Sequence, residues 1–210
     1  MIFNLPNLLT LSRILSLPLF VGAFYLEGVA AHWTSFAIFA LAGITDFFDG
    51  YLARAWQQQS GFGRFLDPIA DKLLIAVAIV MLVAFDRVTG LAVLPALVIL
   101  CREILVSGLR EFLAEIRISV PVSYLAKWKT AVQMLAIGLL LLGDVMPSLP
   151  LGEIGTFGIW AAAMFTLITG FDYFQHGLRH LLEAPATPTV APDKGMRDAK
   201  EASRKSTPEA

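Results

Sequence analysis

Charge is scarce in this sequence. Only 16% of its 210 residues are Asp, Glu, Lys or Arg, against roughly 25% in an ordinary soluble domain. Hydrophobic residues make up 57% of the chain and the mean hydropathy is +0.69, which points away from a water-soluble domain. Basic excess is also missing: 16 Lys and Arg stand against 17 Asp and Glu. The chain therefore lacks the electrostatic footprint that phosphate-backbone binding needs, and nucleic acid is not an expected partner. Cysteine occurs once, as Cys101, so no intrachain disulfide can form, and a lone thiol in an apolar run is expected to act as a small buried apolar residue. No positively charged side chain precedes the first apolar run, and Arg13 interrupts it. A cleaved signal peptide is not expected, despite the weakly cleavage-like Val29-Ala30-Ala31. No internal repeat is visible, and His32, His176 and His180 have no spacing that makes a metal site.

Apolar runs are what the chain has in quantity. Six of them cover about Leu5–Leu26, Trp33–Leu52, Leu66–Phe85, Leu91–Leu113, Tyr124–Gly143 and Ile154–Leu178. Each is near the roughly 20 residues that cross a hydrocarbon core of about 30 Å. Long runs without alternation favour helices over barrel strands, because a backbone in lipid must satisfy its own polar groups. The expected fold is an all-α integral membrane protein with six transmembrane helices. If both termini lie on one side, that side owns Arg54, Arg64, Arg117, Lys127, Lys129, Arg179, Lys194, Arg197, Lys200, Arg204 and Lys205, while the opposite loops hold only Arg87. Such asymmetry predicts cytoplasmic termini. Residues 1–182 are expected to form the membrane domain. The segment 183–210, rich in proline, alanine, threonine and charge, is expected to be a disordered cytoplasmic tail. Trp33, Trp128 and Trp160 read as interface anchors or packing residues.

Against that background, four aspartates between Asp46 and Asp71 stand out. Asp46 and Asp49 are spaced i,i+3, and Asp67 and Asp71 i,i+4, so each pair would share a helix face. A carboxylate in a membrane helix costs about 2.5–3.5 kcal/mol at mid-depth on insertion scales, and clustered like charges raise one another's pKa. Divalent cations between two facing helices would offset both penalties. Oxygen-only ligands suit Mg²⁺ or Mn²⁺ rather than zinc. A plainer reading treats the aspartates as caps or solvated residues. Asp67-Pro68 does look like an N-cap followed by proline at the first helical position, but that accounts for one aspartate of the four. Gly50 and Ala53, one turn beyond Asp46 and Asp49, leave room for a ligand or for a neighbouring helix. Arg54 offers a charge to a phosphate, or snorkels to the interface.

The pattern D-x2-D-G-x2-A-R-x8-G-x3-D-x3-D, filled here by Asp46, Asp49, Gly50, Ala53, Arg54, Gly63, Asp67 and Asp71, resembles the signature of the CDP-alcohol phosphatidyltransferase family. Within that family, several further stretches resemble the bacterial phosphatidylglycerophosphate synthases. These are Asn4-Leu-Pro6-Asn7 through Thr10 and Arg13, Thr45 before Asp46, Arg64-Phe-Leu-Asp67-Pro, Arg102-Glu103-Ile, Ser107-Gly-Leu-Arg110-Glu111 and Lys127-Trp-Lys129-Thr130. The likeness covers roughly residues 1–180. It implies a six-helix CDP-alcohol phosphatidyltransferase-like bundle in the bacterial cytoplasmic (inner) membrane, as a homodimer whose active site faces the cytoplasm. It further implies two divalent ions, Mg²⁺ or Mn²⁺, held by Asp46, Asp49, Asp67 and Asp71, with Asp71 also the catalytic base. Asp49, Gly50, Ala53, Arg54 and Gly63 would bind CDP-diacylglycerol, and sn-glycerol 3-phosphate would be the acceptor.

The acceptor's own phosphate needs cations. Arg102 and Arg110 are eight residues apart, about 80° around a helix, and can face one cavity. Arg102 falls near the middle of its run, where an arginine requires an acid or phosphate partner. Glu103 and Glu111 offer the alternative of internal ion pairs. Lys127 and Lys129 are either further phosphate ligands or topology anchors. Asn7, Thr10 and Arg13 recur at i,i+3 as one polar stripe on the first helix, expected to face the interior, and Thr10 is counted with the acceptor-phosphate residues. Glu153 and Asp172 have no assigned role. Other acceptors within the family (serine, inositol phosphate or phosphatidylglycerol) would not account for the arginines equally well. An ion-coupled transporter should show inverted repeats or broken midplane helices, which this chain does not suggest.

Overall fold

A backbone surrounded by apolar side chains satisfies its polar groups most simply by closing i to i−4 hydrogen bonds along a helix. A computed structural model describes residues 5–55, 61–116, 124–146 and 148–183, and the regular structure among them is entirely helical. Six α-helices follow in order: α1 (Leu5–Ala23), α2 (Val29–Ala55), α3 (Gly61–Ala84), α4 (Val93–Glu115), α5 (Tyr124–Leu142) and α6 (Leu151–Glu183). Short 3-10 turns over Gly90–Ala92 and Gly143–Val145 lead into α4 and out of α5. Of the expected tail 183–210, Glu183 ends α6 and the rest lies outside the described residues.

Each apolar run forms one helix, but the ends shift. The shift that matters for the aspartates is in α3, which begins at Gly61 rather than near Leu66. Asp67 and Pro68 therefore lie inside the helix, not at its N-cap. Pro68, the eighth residue of α3, lies beyond the first turn, so its missing N–H removes one i to i−4 bond from the helix ladder. The connection expected over residues 53–65 shrinks correspondingly, since α2 runs on to Ala55.

Packing divides the helices into two groups. α1 packs closely on both α2 and α3, whereas α2 and α3 touch each other little. α6 packs along α5 and α4. Gly155 and Gly158 make the α5–α6 approach possible: a Cβ on Gly158 would lie 2.8 Å from the Ala136 methyl, and one on Gly155 3.0 Å from the Leu140 backbone nitrogen. Small residues at such crossings let backbones come together. The apolar core joins the groups through Phe20, Leu82, Ile99, Ile137, Leu140, Leu141 and Ile159, all fully buried.

The outer surface is apolar as well. Leu15 and Leu19 on α1, Leu41 and Ile44 on α2, Val80 on α3, Ile104 and Leu105 on α4, Leu135 on α5, and Phe157 and Phe171 on α6 are all exposed. A surface of that kind is stable against hydrocarbon rather than water. Two stretches, Gly90–Glu115 and Leu151–Gln175, are each long and apolar enough to cross a membrane, and Asn7–Ala23 and Trp128–Leu142 are shorter apolar helices. Cys101, expected in the core, is instead exposed on this outer face. Trp33, Trp128 and Trp160 are exposed too.

The end of the bundle away from the aspartates is closed by its turns. Gly143 has φ +51°, and a Cβ there would lie 3.3 Å from the His32 ring, so only glycine fits comfortably. His32 Nδ1 donates to the Leu141 carbonyl at 2.9 Å. Arg87, in the α3–α4 turn, donates to the same carbonyl at 2.9 Å and stacks over the Phe24 ring at 4.5 Å. Burial pushes its guanidinium below the usual pKa, and the carbonyl and ring offset part of that desolvation. Glu153 lines an open cavity at this end with Arg87, Phe157 and Trp160.

Candidate active site

Buried polar side chains concentrate at the other end of the bundle, where Asn7, Thr10, Arg13, Lys129, Gln133, Thr166 and Thr169 are nearly inaccessible. They form two clusters, one within each group of helices.

The first cluster is acidic and is organised by α1. Asn7, Thr10 and Arg13 lie on one face of that helix, and the face is buried, as the stripe predicts. Thr10 Oγ1 donates to Asp67 Oδ1 at 2.6 Å. The Nη1 atom of Arg13 donates to Asp46 Oδ1 at 2.6 Å and to Asp71 Oδ1 at 2.7 Å. The Arg13 side chain is 1% exposed, whereas those of Asp46 and Asp71 are 43% and 50% exposed. One guanidinium thus gathers carboxylates from two helices. Asp46 of α2 and Asp71 of α3 thus converge on one atom, and α1, which packs on both helices, supplies the link. Thr10, grouped by sequence with the acceptor-phosphate residues, is found against Asp67.

The second cluster is basic and lies among α4, α5 and α6. Arg102 Nη2 donates to Thr169 Oγ1 at 3.1 Å, and its Nη1 lies 3.7 Å from Glu103. Glu103 also pairs with Lys129 across the α4–α5 boundary. Arg110 Nη2 donates to Tyr173 Oη at 3.2 Å, with the guanidinium 5.4 Å from the ring centre. Arg102 and Arg110 thus meet side chains one turn apart on α6, as their shared helix face predicts. A Cβ on Gly170 would lie 3.2 Å from Arg102 Cγ, so the missing side chain there makes room for the arginine stem. The Nε of Arg102 is buried without a hydrogen-bond partner, as are Gln133 Oε1 on α5 and Thr166 Oγ1 on α6. Buried donors and acceptors left open in this way have capacity for another polar group.

The clusters adjoin. Lys72, next to Asp71, reaches Glu111, next to Arg110, at 3.7 Å, so Asp71 on α3 and Arg110 on α4 lie at similar depth. Arg102 sits eight residues further along α4, about 12 Å deeper at 1.5 Å per residue. Half-exposed carboxylates beside cations that run from the exposed Arg110 to the recessed Arg102 and Lys129 suit a reaction between one anion that carries a metal and another that carries a phosphate.

Residues 3–168 match the model of the family described as CDP-alcohol phosphatidyltransferase. The chain belongs to this family. Relatives named CDP-diacylglycerol--glycerol-3-phosphate 3-phosphatidyltransferase include one from Rickettsia felis, 49% identical over 173 residues that cover 82% of this chain and 94% of the relative. Another, from Pectobacterium atrosepticum, is 44% identical over 86% of this chain and 98% of its own. A third, from Cereibacter sphaeroides, is 39% identical over 85% and 97% respectively.

Viewed as a CDP-alcohol phosphatidyltransferase, the chain carries its signature on two helices. Asp46, Asp49, Gly50, Ala53 and Arg54 lie on the last three turns of α2, and Gly63, Asp67 and Asp71 on the first three of α3. Gly63 is buried. The side chains of Asp49, Ala53, Arg54, Lys127 and Asp172 lie outside the described residues. Among the described residues no three acidic, histidine or cysteine side chains form a metal-holding group by themselves, and Asp49 is the member of the expected set that falls outside. The donors present nevertheless fit a hard divalent cation. They are all carboxylate oxygens, and those of Asp46 and Asp71 already converge on one positively charged atom,.

Sequence reasoning missed Thr169 and Tyr173. Thr166, Thr169 and Tyr173 recur at i, i+3 and i+7 on α6, a one-sided row of hydroxyls that helical periodicity could have flagged. Glu103, taken only as a possible ion-pair partner, turns out to tie Lys129 to Arg102.

Proposed function

We propose that this chain is an integral membrane enzyme that transfers the phosphatidyl group of CDP-diacylglycerol to sn-glycerol 3-phosphate, giving phosphatidylglycerophosphate and CMP in phospholipid biosynthesis. The observation that carries the choice of acceptor is the Arg102–Arg110–Lys129 cluster beside the aspartates, in which Arg102 and Lys129 are recessed and Arg110 is exposed. An alcohol bearing its own phosphate needs such cations, and serine does not. The names of the relatives support the same reading.

In this mechanism Arg102, Arg110 and Lys129, with Lys127, hold the acceptor phosphate and aim its 1-hydroxyl at the carboxylate cluster. Asp71, half-exposed, accepts the hydroxyl proton as the oxygen attacks the phosphatidyl phosphorus. The bond from that phosphorus to the CMP oxygen breaks, and CMP leaves. Asp49, Gly50, Ala53, Arg54 and Gly63 line the pocket for the cytidine diphosphate. Thr10, by donating to Asp67, fixes the orientation of one carboxylate. Asp46, Asp49, Asp67 and Asp71 would hold two divalent ions, Mg²⁺ or Mn²⁺, which when bound would supply charge neutralisation on the diphosphate and a lowered pKa at the acceptor hydroxyl.

All six helices cross the bacterial cytoplasmic (inner) membrane in this reading, with both termini and the site on the cytoplasmic side and the chain working as a homodimer. The distribution of lysine and arginine supports the orientation,. There the water-soluble acceptor meets the lipid-anchored nucleotide.

Release of CMP by the purified protein in detergent, with CDP-diacylglycerol, Mg²⁺ or Mn²⁺ and a panel of alcohols, tests the proposal. Turnover with glycerol 3-phosphate and silence after thorough chelation are expected. Turnover only with serine or an inositol phosphate would overturn the acceptor, and activity that survives chelation would overturn the metals.

A further inference from the structure

Arg13 is a buried charged side chain that the mechanism above does not use, and its placement is specific. A single atom, Nη1, contacts both Asp46 Oδ1 and Asp71 Oδ1, at 2.6 and 2.7 Å. That atom is therefore a cationic group shared by carboxylates of α2 and α3. The side chain reaches it from α1 and is 1% exposed, so bulk water does little to screen its charge. Thr10, one turn earlier on the same helix face, holds the third aspartate, Asp67.

We propose that Arg13 is the built-in counter-ion of the metal site: it holds Asp46 and Asp71 in place before metal arrives and gives up that bridging position when metal binds. The proposal rests on the metal-dependent reading above. Three physical points support it. Carboxylates this close repel, and without a cation between them they would splay apart. A guanidinium with charge-assisted hydrogen bonds to two carboxylates removes that repulsion at the sites of strongest negative charge. A divalent ion needs oxygens at about 2.0–2.1 Å for magnesium, closer than Arg13 allows at 2.6 and 2.7 Å, and it would be repelled by an unscreened guanidinium in the same place. Arg13 is therefore a positioning residue with two consequences of opposite sign. It stabilises the metal-free protein, and it weakens metal binding by competing for the same oxygens.

Titration of metal-free wild type and Arg13→Gln with Mn²⁺, read as loss of the free-ion paramagnetic resonance signal, separates this role from a purely structural one. Melting temperatures with and without metal are measured alongside. The variant is expected to bind Mn²⁺ tighter by about tenfold or more, the size of effect one neighbouring unit charge has on a carboxylate's proton affinity. Without metal it should melt lower than wild type, and metal should raise its melting temperature further. An Mn²⁺ affinity equal to or weaker than that of wild type would overturn the proposal, because a merely structural arginine weakens the site when it is lost. The wild-type protein supplies a second readout that needs no variant. Saturating Mg²⁺ should make Arg13 reactive towards phenylglyoxal, mapped by mass spectrometry, and unchanged reactivity would count equally against it. Failure of the metal reading looks different: wild type would then bind no Mn²⁺ at all.

Discussion

The acidic and basic clusters are built on the same plan with the signs reversed. In the first, a buried arginine from α1 joins carboxylates of α2 and α3. In the second, a glutamate of α4 joins a lysine of α5 and an arginine of its own helix. Each cluster thus carries its own counter-charge, which lets like charges collect at one end of an apolar bundle. They differ in what surrounds them. The carboxylates of Asp46 and Asp71 are about half-exposed, whereas Arg102 and Lys129 are recessed, and the neutral hydroxyls of Thr169 and Tyr173 accept from Arg102 and Arg110. An open acidic cluster suits metal and a large lipid-anchored nucleotide. A recessed basic one suits a small acceptor that must be held by its phosphate.

That comparison can be broken at several points. The largest effect is expected from Asp71→Asn, which removes the proton acceptor without changing the shape of the site. Turnover should fall by about 10²–10⁴-fold, the usual contribution of a general base, while CDP-diacylglycerol binding, measured by equilibrium dialysis, is retained. Full activity would take Asp71 out of the base role. Next comes Glu103→Gln, which strips the basic cluster of its internal anion. Leaving Lys129 buried without a counter-charge should destabilise the protein by on the order of 3 kcal/mol, read as a lower melting temperature, and glycerol 3-phosphate should recover part of that loss. An unchanged melting temperature would mean that the pair contributes nothing. The smallest effect belongs to Tyr173→Phe, which removes the hydroxyl that accepts from Arg110. A loss of about 1 kcal/mol corresponds to roughly fivefold in the KM for the acceptor, with that for CDP-diacylglycerol unmoved.

The two clusters were not equally legible in the sequence. Asp46, Asp49, Asp67 and Asp71 are visible because their spacing is local, and helical periodicity turns local spacing into shared faces. The same holds for the buried stripe of Asn7, Thr10 and Arg13, and for the six helices, since each run of apolar residues is its own evidence. What spacing cannot give is the partner across a helix boundary. Nothing near Arg13 in the sequence says that it bridges Asp46 and Asp71, and nothing near Thr10 points to Asp67. Thr169 and Tyr173 stayed hidden for a further reason: hydroxyls in an apolar helix can bond their own backbone, as Thr169 also does to Phe165, and so draw no attention. The start of α3 was misplaced because Asp67-Pro68 imitates a helix beginning, while the preceding turn from Gly61 has too few apolar residues to register as helix.

The central claim is a division of labour, with the nucleotide lipid at the acidic cluster and the acceptor phosphate at the basic one. The most direct test compares CMP release with glycerol 3-phosphate against release with glycerol, in wild type and in Arg110→Gln. Wild type should prefer the phosphorylated acceptor strongly, and the variant should lose about tenfold or more of that preference, the worth of one charge-assisted hydrogen bond to a phosphate, with no change in the KM for CDP-diacylglycerol. An undiminished preference in the variant, or a rise confined to the KM for CDP-diacylglycerol, would contradict the account.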